Sequence, residues 1–169
     1  FEPWDLQHRY LPEFFTTLEL AWREATYRPA CEEAHAVVVA SDWVRADLVR
    51  QFGLPPRKVY RIRRGSPTAL LAAPTDSDVR ETRDRRHLPD VFLLYPAQTW
   101  PHKNHLGLLD AVARLREGGV RVSIVCCGTQ NGHFDLIRRR VAELGLGEQV
   151  RFLGHVPGPE LLTLYRLAR

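Results

Sequence analysis

The chain has 169 residues, a formal net charge of +4, and hydrophobic and charged fractions of 44% and 26%, which are typical of a globular protein. No apolar run reaches the roughly 18 residues that a membrane-spanning helix needs. Basic residues do not alternate with aromatic ones, so nucleic acid is not an expected partner. The 3 cysteines are too few for a disulfide framework, and no Cys/His spacing matches a metal site. This usage favours the cytoplasm and predicts no metal.

The first part of the chain predicts a helix, a strand, a helix and a strand. These elements cover residues 13–34, 36–40, 42–52 and 59–62. In the first helix, Phe14, Leu18 and Trp22 repeat with helical spacing on one face. The first strand is apolar on both faces, as a buried parallel strand requires. Ser41 stands where it can cap the second helix, and Gly53 stands where it can end that helix.

Regular patterning stops after residue 64. Residues 64–90 contain glycine, prolines and a run of mixed charge. Such a stretch indicates a linker with a short helix or, alternatively, a long surface loop inside one domain. We place the linker at residues 76–90, between a first domain over residues 1–75 and a second domain over residues 91–169.

Beyond the linker, strands and helices alternate. The strands cover residues 91–95, 120–127 and 150–153, and the helices cover residues 104–117, 133–144 and 160–169. Short loops between such elements imply right-handed βαβ crossovers and a parallel sheet flanked by helices. The sequence therefore predicts an α/β fold whose ligands bind at the carboxyl ends of the strands.

The loop after the first of these strands is the clearest candidate for a binding site. Residues 96–105, PAQTWPHKNH, lead into a helix whose first N–H groups and dipole favour an anion. Lys103 would add a positive charge suited to a diphosphate. The same spacing also fits a solvated Lys103 and an Asn104 that caps the helix.

The loops after the other two strands carry glycines. Gly128 permits the close approach of a ligand to the backbone, or simply a tight turn. Gly154 and His155 border a nucleotide base or form a plain turn. The residue types leave both interpretations open.

Several stretches of the chain resemble glycosyltransferase family 4, a large bacterial group of retaining enzymes with the GT-B fold. The most specific is Tyr95–His105, YPAQTWPHKNH, which closely resembles a loop of mannosyltransferase-like members. Asp5–His8 and Leu11–Phe15 are similar to the acceptor-side segment of the same group. Residues 37–59 and 152–165 also resemble the family, so the resemblance follows the chain in order.

The resemblance implies a GT-B fold of two Rossmann-like domains with parallel sheets flanked by helices, both incomplete in this chain. Residues 1–75 would end the acceptor-side domain, and residues 91–169 would begin the nucleotide-sugar donor domain. The implied enzyme transfers a hexose, with mannose as the expected sugar, from a nucleoside-diphosphate sugar to a carbohydrate or lipid-linked acceptor with retention. It implies no cofactor and no structural metal.

On the donor side, Lys103 matches the lysine that binds the diphosphate in the family, and Gln98 and Asn104 lie beside it. Many members have an arginine a few residues earlier, where this chain has Ala97 and Gln98. The positions expected near the nucleotide are Gly128, Gly154 and His155.

On the acceptor side, a histidine often precedes the aspartate of the family segment. This chain has Trp4 before Asp5, so His8 is the remaining candidate for a catalytic histidine. Asp5 either contacts the acceptor or braces its loop.

The family's glycine-rich loop would precede residue 1, and its paired glutamates would follow Arg169, so the chain alone is expected to be an inactive fragment. Two alternatives stay open: a non-catalytic module that binds a nucleotide or sugar phosphate, and a protein-interaction scaffold of the same fold. The positive charge favours an anionic partner such as a phosphorylated donor. It also suits a peripheral position at the inner face of the membrane.

Overall fold

The computed structural model describes residues 1–66 and 72–169 of the chain. The chain divides into two compact units, a first unit over Phe1–Ser66 and a second unit over Pro67–Arg169. In the described residues, no helix is both long enough and apolar enough to span a bilayer.

The first unit is built on two short parallel strands. Strand β1 (Val37–Val39) pairs with strand β2 (Val59–Arg61), and Val37 lies opposite Val59. Its helices are α1 (Gln7–Tyr10), α2 (Thr17–Glu33) and α3 (Asp42–Phe52). Its buried core consists of Leu6, Cys31, Val37, Val39, Leu48, Phe52, Leu54 and Val59.

The ends of the helices in the first unit follow from local side chains. Ser41 accepts a hydrogen bond from the Val44 N–H and so caps α3, while Gly53, at φ +68°, ends it. Both positions confirm the sequence-based prediction. Thr16 and Glu19 form a capping box at the start of α2, which satisfies two backbone donors that a helix leaves unpaired.

Helix α2 buries the face opposite to the one that its apolar spacing predicts. Leu18 and Trp22 are 79% and 58% exposed, whereas Cys31 is fully buried. The helix itself is confirmed, although Phe14 lies before it in a 3-10 turn over Pro12–Phe14. Packing against β1 and α1 selects the side that carries Tyr27 and Cys31. Periodicity therefore indicates the helix without indicating which face is covered.

The second unit contains a three-stranded parallel sheet in the order β3-β4-β5. The strands are β3 (Leu93–Pro96), β4 (Ile124–Cys127) and β5 (Val150–Phe152). The helices are α4 (Asp76–Arg86), α5 (His105–Glu117), α6 (Phe134–Glu143) and α7 (Gly158–Leu167). The predicted strand over residues 120–127 is shorter, since only its last four residues pair.

Strand β4 lies at the centre of the sheet and is buried along its whole length. Ile124 and Cys126 belong to the core cluster formed with α5 and α6. Val125 and Cys127 belong to the cluster on the opposite face, which is formed with α7. Because successive side chains of a strand point to opposite faces, an all-apolar strand needs helices on both sides.

Helix α4 occupies most of the segment predicted as a linker over residues 76–90. Thr75 and Asp78 form a capping box at its start. Arg86, in its last turn, donates two hydrogen bonds to Glu160 of α7 at 2.7 and 3.2 Å. The sequence allowed for a short helix in this stretch, and the capping box and the ion pair with α7 hold it in place.

Candidate functional site

The carboxyl ends of β3, β4 and β5 form one edge of the sheet in the second unit. A cleft of about 210 Å³ opens at this edge. The predicted site residues Gln98, Gly128 and His155 line the cleft, together with Ala97 and Thr129. The structure thus gathers three of the predicted positions from three different loops.

Gly128 brings the loops after β3 and β4 into direct contact. Its φ is +145°, and a Cβ at this position would lie 2.7 Å from the Gln98 nitrogen and closer still to the Ala97 carbonyl. Its own N–H donates to the Gly154 carbonyl at 2.7 Å. Glycine is required here because a side chain would push the Ala97–Gln98 peptide away from β4.

Thr99 forms a second tie between the same two loops, and sequence reasoning missed it. Thr99 is 2% exposed, and its hydroxyl donates to Asn131 Oδ1 at 3.1 Å. The Asn131 N–H donates to the same hydroxyl at 2.9 Å, and the Thr99 N–H donates to the Thr129 carbonyl at 3.2 Å. The two residues lie far apart in the chain, so no local pattern indicates the pair.

Lys103 lies in a 3-10 turn directly before α5, and its side chain is exposed. Its carbonyl accepts a hydrogen bond from the Tyr95 hydroxyl. Within residues 1–66 and 72–169, its ammonium group makes no hydrogen bond or ion pair. A lysine without a carboxylate partner, next to a helix N-terminus, is available to an anion.

Asn104 caps α5. Its φ is +54°, and its Oδ1 accepts a hydrogen bond from the Gly107 N–H at 3.1 Å. A Cβ on Gly107 would lie 2.6 Å from Asn104 Nδ2, so the glycine makes room for the cap. Asn104 therefore caps the helix through the oxygen of its side-chain amide.

Trp100 fixes the side chain of Gln98. The Trp100 indole Nε1 donates to Gln98 Oε1 at 2.6 Å. Both side chains are exposed at the mouth of the loop. The sequence places Trp100 two residues from Gln98 but does not indicate this bond.

His105, in the first turn of α5, is a buried residue that sequence reasoning passed over. It is 2% exposed, and neither ring nitrogen has a partner among the described atoms. Its ring contacts Tyr95 edge-on, with centroids 5.0 Å apart. Burial lowers the pKa of His105 below 6.5, and the nearby His133 lowers it further.

Residues 79–169 match the sequence model of the family described as glycosyl transferases group 1. The chain belongs to this family. The predicted membership is thereby confirmed, and the cleft lies within the matched residues.

Two curated relatives extend the likeness to the first unit. The chain is 27% identical over 169 residues to the O-antigen chain mannosyltransferase B of Escherichia coli, covering 94% of this chain and 42% of the relative. It is 26% identical over 157 residues to a D-inositol 3-phosphate glycosyltransferase of Corynebacterium efficiens, covering 86% and 37%. The chain therefore spans about two fifths of the length of these curated relatives.

A solved structure shows the same fold. Anabaena HepE, determined in complex with UDP and glucose, superposes with a TM-score of 0.72 at 22% identity and covers 93% of this chain and 41% of its own. The predicted α/β fold of GT-B type, with parallel sheets flanked by helices, is confirmed by this likeness and by the β3-β4-β5 sheet.

In the first unit of this family member, His8 is enclosed by packing. Its side chain is 1% exposed, and Nε2 lies 3.2 Å from Glu24 Oε1. The ring meets Phe15 and Tyr27 edge-on. Burial lowers the pKa of His8, while Glu24 opposes this effect. His8 is buried in this packing, and a catalytic role stays a prediction.

Asp5 lies at the start of α1. Its Oδ1 accepts a hydrogen bond from the Gln7 N–H at 3.0 Å, which braces the entry of the helix. This bond fits the bracing role, and contact of Asp5 with an acceptor stays a prediction. In the part of the chain that the structure describes, no group of three or more His, Cys, Asp or Glu side chains could hold a metal ion.

Proposed function

We propose that the whole protein transfers a hexose from a nucleoside-diphosphate sugar to a carbohydrate or lipid-linked acceptor with retention of configuration. Mannose is the proposed sugar. Family membership supports glycosyl transfer. The likeness of nearly the entire chain to a mannosyltransferase supports the choice of sugar.

The observation that carries the proposal is the unpaired ammonium of Lys103 at the start of α5. When the bond between the sugar and the diphosphate breaks, negative charge develops on the leaving nucleoside diphosphate. A fixed cation and the N–H groups of a helix N-terminus stabilise that charge. The cleft lined by Gln98, Gly128 and His155 opens at the same edge of the sheet.

Calorimetric titration of the chain with GDP and with UDP tests this placement. We expect one of the two to bind and Lys103→Ala to weaken binding about tenfold, the typical worth of a bond to a charged group. The matched control is Arg139→Ala, which removes one exposed cation from α6 and should leave the affinity unchanged. Equal loss in both variants, or no loss in Lys103→Ala, would overturn the placement.

Transfer itself is tested on the whole protein. GDP-mannose and UDP-glucose are offered with an acceptor extract, and release of GDP or UDP is followed together with the anomeric configuration of the product by NMR. Retention with mannose supports the proposal. Inversion, or binding without any release, contradicts it; the second result identifies a binding module of the same fold.

We further propose a cytoplasmic location with peripheral contact to the inner face of the membrane. The three cysteines are free and buried, which suits a reducing compartment. The exposed Leu18 and Trp22 of α2 offer apolar contacts to a lipid surface. Sedimentation with phosphatidylglycerol vesicles should retain the chain, and Trp22→Ala should reduce the bound fraction. Equal sedimentation of the unaltered chain and the Trp22→Ala variant would show that Trp22 of α2 does not contribute to the membrane contact.

A further inference from the structure

The bond between Trp100 and Gln98 determines how Gln98 faces the cleft. An indole N–H can only donate, so the atom of the amide that meets it must be the carbonyl oxygen Oε1. Their distance of 2.6 Å shows that this oxygen is engaged. The other end of the amide, Nε2, carries two N–H donors and remains for a ligand in the cleft that Gln98 lines.

The backbone beneath Gln98 is held from both sides. Gly128 lies so close to the Ala97–Gln98 peptide that no side chain fits at position 128. The next residue, Thr99, is buried and hydrogen-bonded to Thr129 and Asn131. A donor on a fixed backbone loses less conformational entropy on binding than one on a free loop.

The side chains that line the cleft contain no carboxylate and no lysine or arginine. They are Pro96, Ala97, Gln98, Cys127, Gly128, Thr129, His155, Val156 and Leu161. Phosphate oxygens only accept hydrogen bonds, so an amide that presented its oxygen would repel them. With its oxygen turned to Trp100, the amide of Gln98 presents donors instead.

We propose that Trp100 is a positioning residue that turns Gln98 so that its amide N–H groups bind the diphosphate of the donor. This inference rests on the proposed function. The neutral donor of Gln98 then adds to the positive charge of Lys103, which lies in the turn before α5. The ligand class is a nucleoside diphosphate, and a nucleoside without phosphate gains nothing from Gln98.

Calorimetry of the chain with GDP, UDP and guanosine tests the inference. We expect Gln98→Ala to weaken diphosphate binding about tenfold, as for a lost bond to a charged group. Gln98→Glu should bind more weakly than Gln98→Ala, because its carboxylate still accepts from Trp100 but repels phosphate. Trp100→Phe keeps an aromatic ring, removes the N–H and should weaken diphosphate binding about threefold. Guanosine affinity should stay unchanged in all variants.

A double variant separates positioning from mere packing. In the Gln98→Ala background, Trp100→Phe should cause no further loss, because Trp100 acts through Gln98. Additive losses, or full diphosphate binding by Gln98→Glu, would overturn the inference. If Lys103→Ala weakens binding while the Gln98 and Trp100 variants do not, only this inference fails. If the unaltered chain binds neither nucleotide, the proposed function fails first.

Discussion

The two units treat their candidate residues in opposite ways. In the second unit, Gln98 and His155 are exposed at the strand ends, while Thr99 and Gly128 hold the loops beneath them. In the first unit, His8 itself is part of the packing. Polar side chains remain available for a ligand where other residues provide the structural support.

The second unit also has the more extensively covered sheet. The sheet of the second unit has apolar clusters on both faces, and β4 is buried at every position. The first unit has a single cluster around its two strands. A strand covered on both faces gives its carboxyl end little freedom, and this rigidity suits loops that we propose to hold a phosphate.

Gly128→Ala should produce the largest effect, and it tests whether the loops of the second unit are held tightly. The added Cβ overlaps the Ala97 carbonyl at a φ that side chains rarely adopt, so we expect a loss of about 3 kcal/mol or more. Hydrogen exchange of the β4 amides measures the local free energy of opening. Gly132→Ala, in the same loop with open space around it, should change this free energy little. Equal effects at both glycines would show that the loop contact is not tight.

Glu160→Gln should produce the next largest effect. Glu160 is 11% exposed and binds Arg86 and Arg85, so loss of its charge should lower the free energy of unfolding by about 2 kcal/mol. In the first unit, Asp42 pairs with Arg61 but is 73% exposed, and Asp42→Asn should cost no more than about 0.5 kcal/mol. Urea denaturation followed by circular dichroism measures both. A larger loss from Asp42→Asn would reverse the comparison between the units.

Glu160 also predicts an acid dependence. The hydrogen bonds from Arg86 hold the pKa of Glu160 below 4.5 despite burial. The stabilisation is therefore complete above pH 4.5 and is lost as the pH falls through the lowered pKa. In Glu160→Gln this part of the acid dependence should disappear; an unchanged profile would mean that other carboxylates dominate.

Thr16→Ala tests the first unit at a smaller scale. Loss of the capping box at α2 should cost about 1 kcal/mol. Thr17→Ala changes the neighbouring exposed threonine and should be nearly neutral. Urea denaturation of the two variants compares them directly. A cost at Thr17 as large as at Thr16 would argue against the cap.

The smallest expected effect concerns the two buried histidines. Burial lowers the pKa of both His8 and His105 below 6.5, so stability is full above pH 6.5 and falls as the pH drops through the folded values. At His8, Glu24 opposes the lowering of the pKa, while Arg23 and Arg9 add to it. NMR titration of the imidazole protons should therefore place both pKa values below 6.5, and a value at or above 6.5 for either histidine would contradict its burial.

The sequence predicted those helices and strands whose ends are set by residues close to them in the chain. Ser41 and Gly53 bound α3 as expected, and the alternation after residue 90 predicted the parallel sheet of the second unit. The loop that carries Lys103 lies directly before a helix, as predicted. These features depend on chain-local hydrogen bonds and on periodicity.

Features that depend on distant contacts were not predictable. The apolar spacing of Leu18 and Trp22 does not tell which side of α2 meets the core. The pairing of Thr99 with Asn131 joins residues that only the sheet brings together. The bond from Trp100 to Gln98 is local, yet it selects one of two amide orientations that the sequence permits equally.

The buried thiols allow the opening of each unit to be measured. Burial raises the pKa of Cys31 to about 11 and that of Cys126 to about 12, so both are almost wholly protonated at neutral pH. A thiol reagent can reach them only when the surrounding unit opens, since the thiolate is the reactive form and both side chains are covered. Labelling rates measured by mass spectrometry would therefore report the opening rate of the first unit at Cys31 and of the second unit at Cys126. Both rates come from one sample of the protein without any substitution.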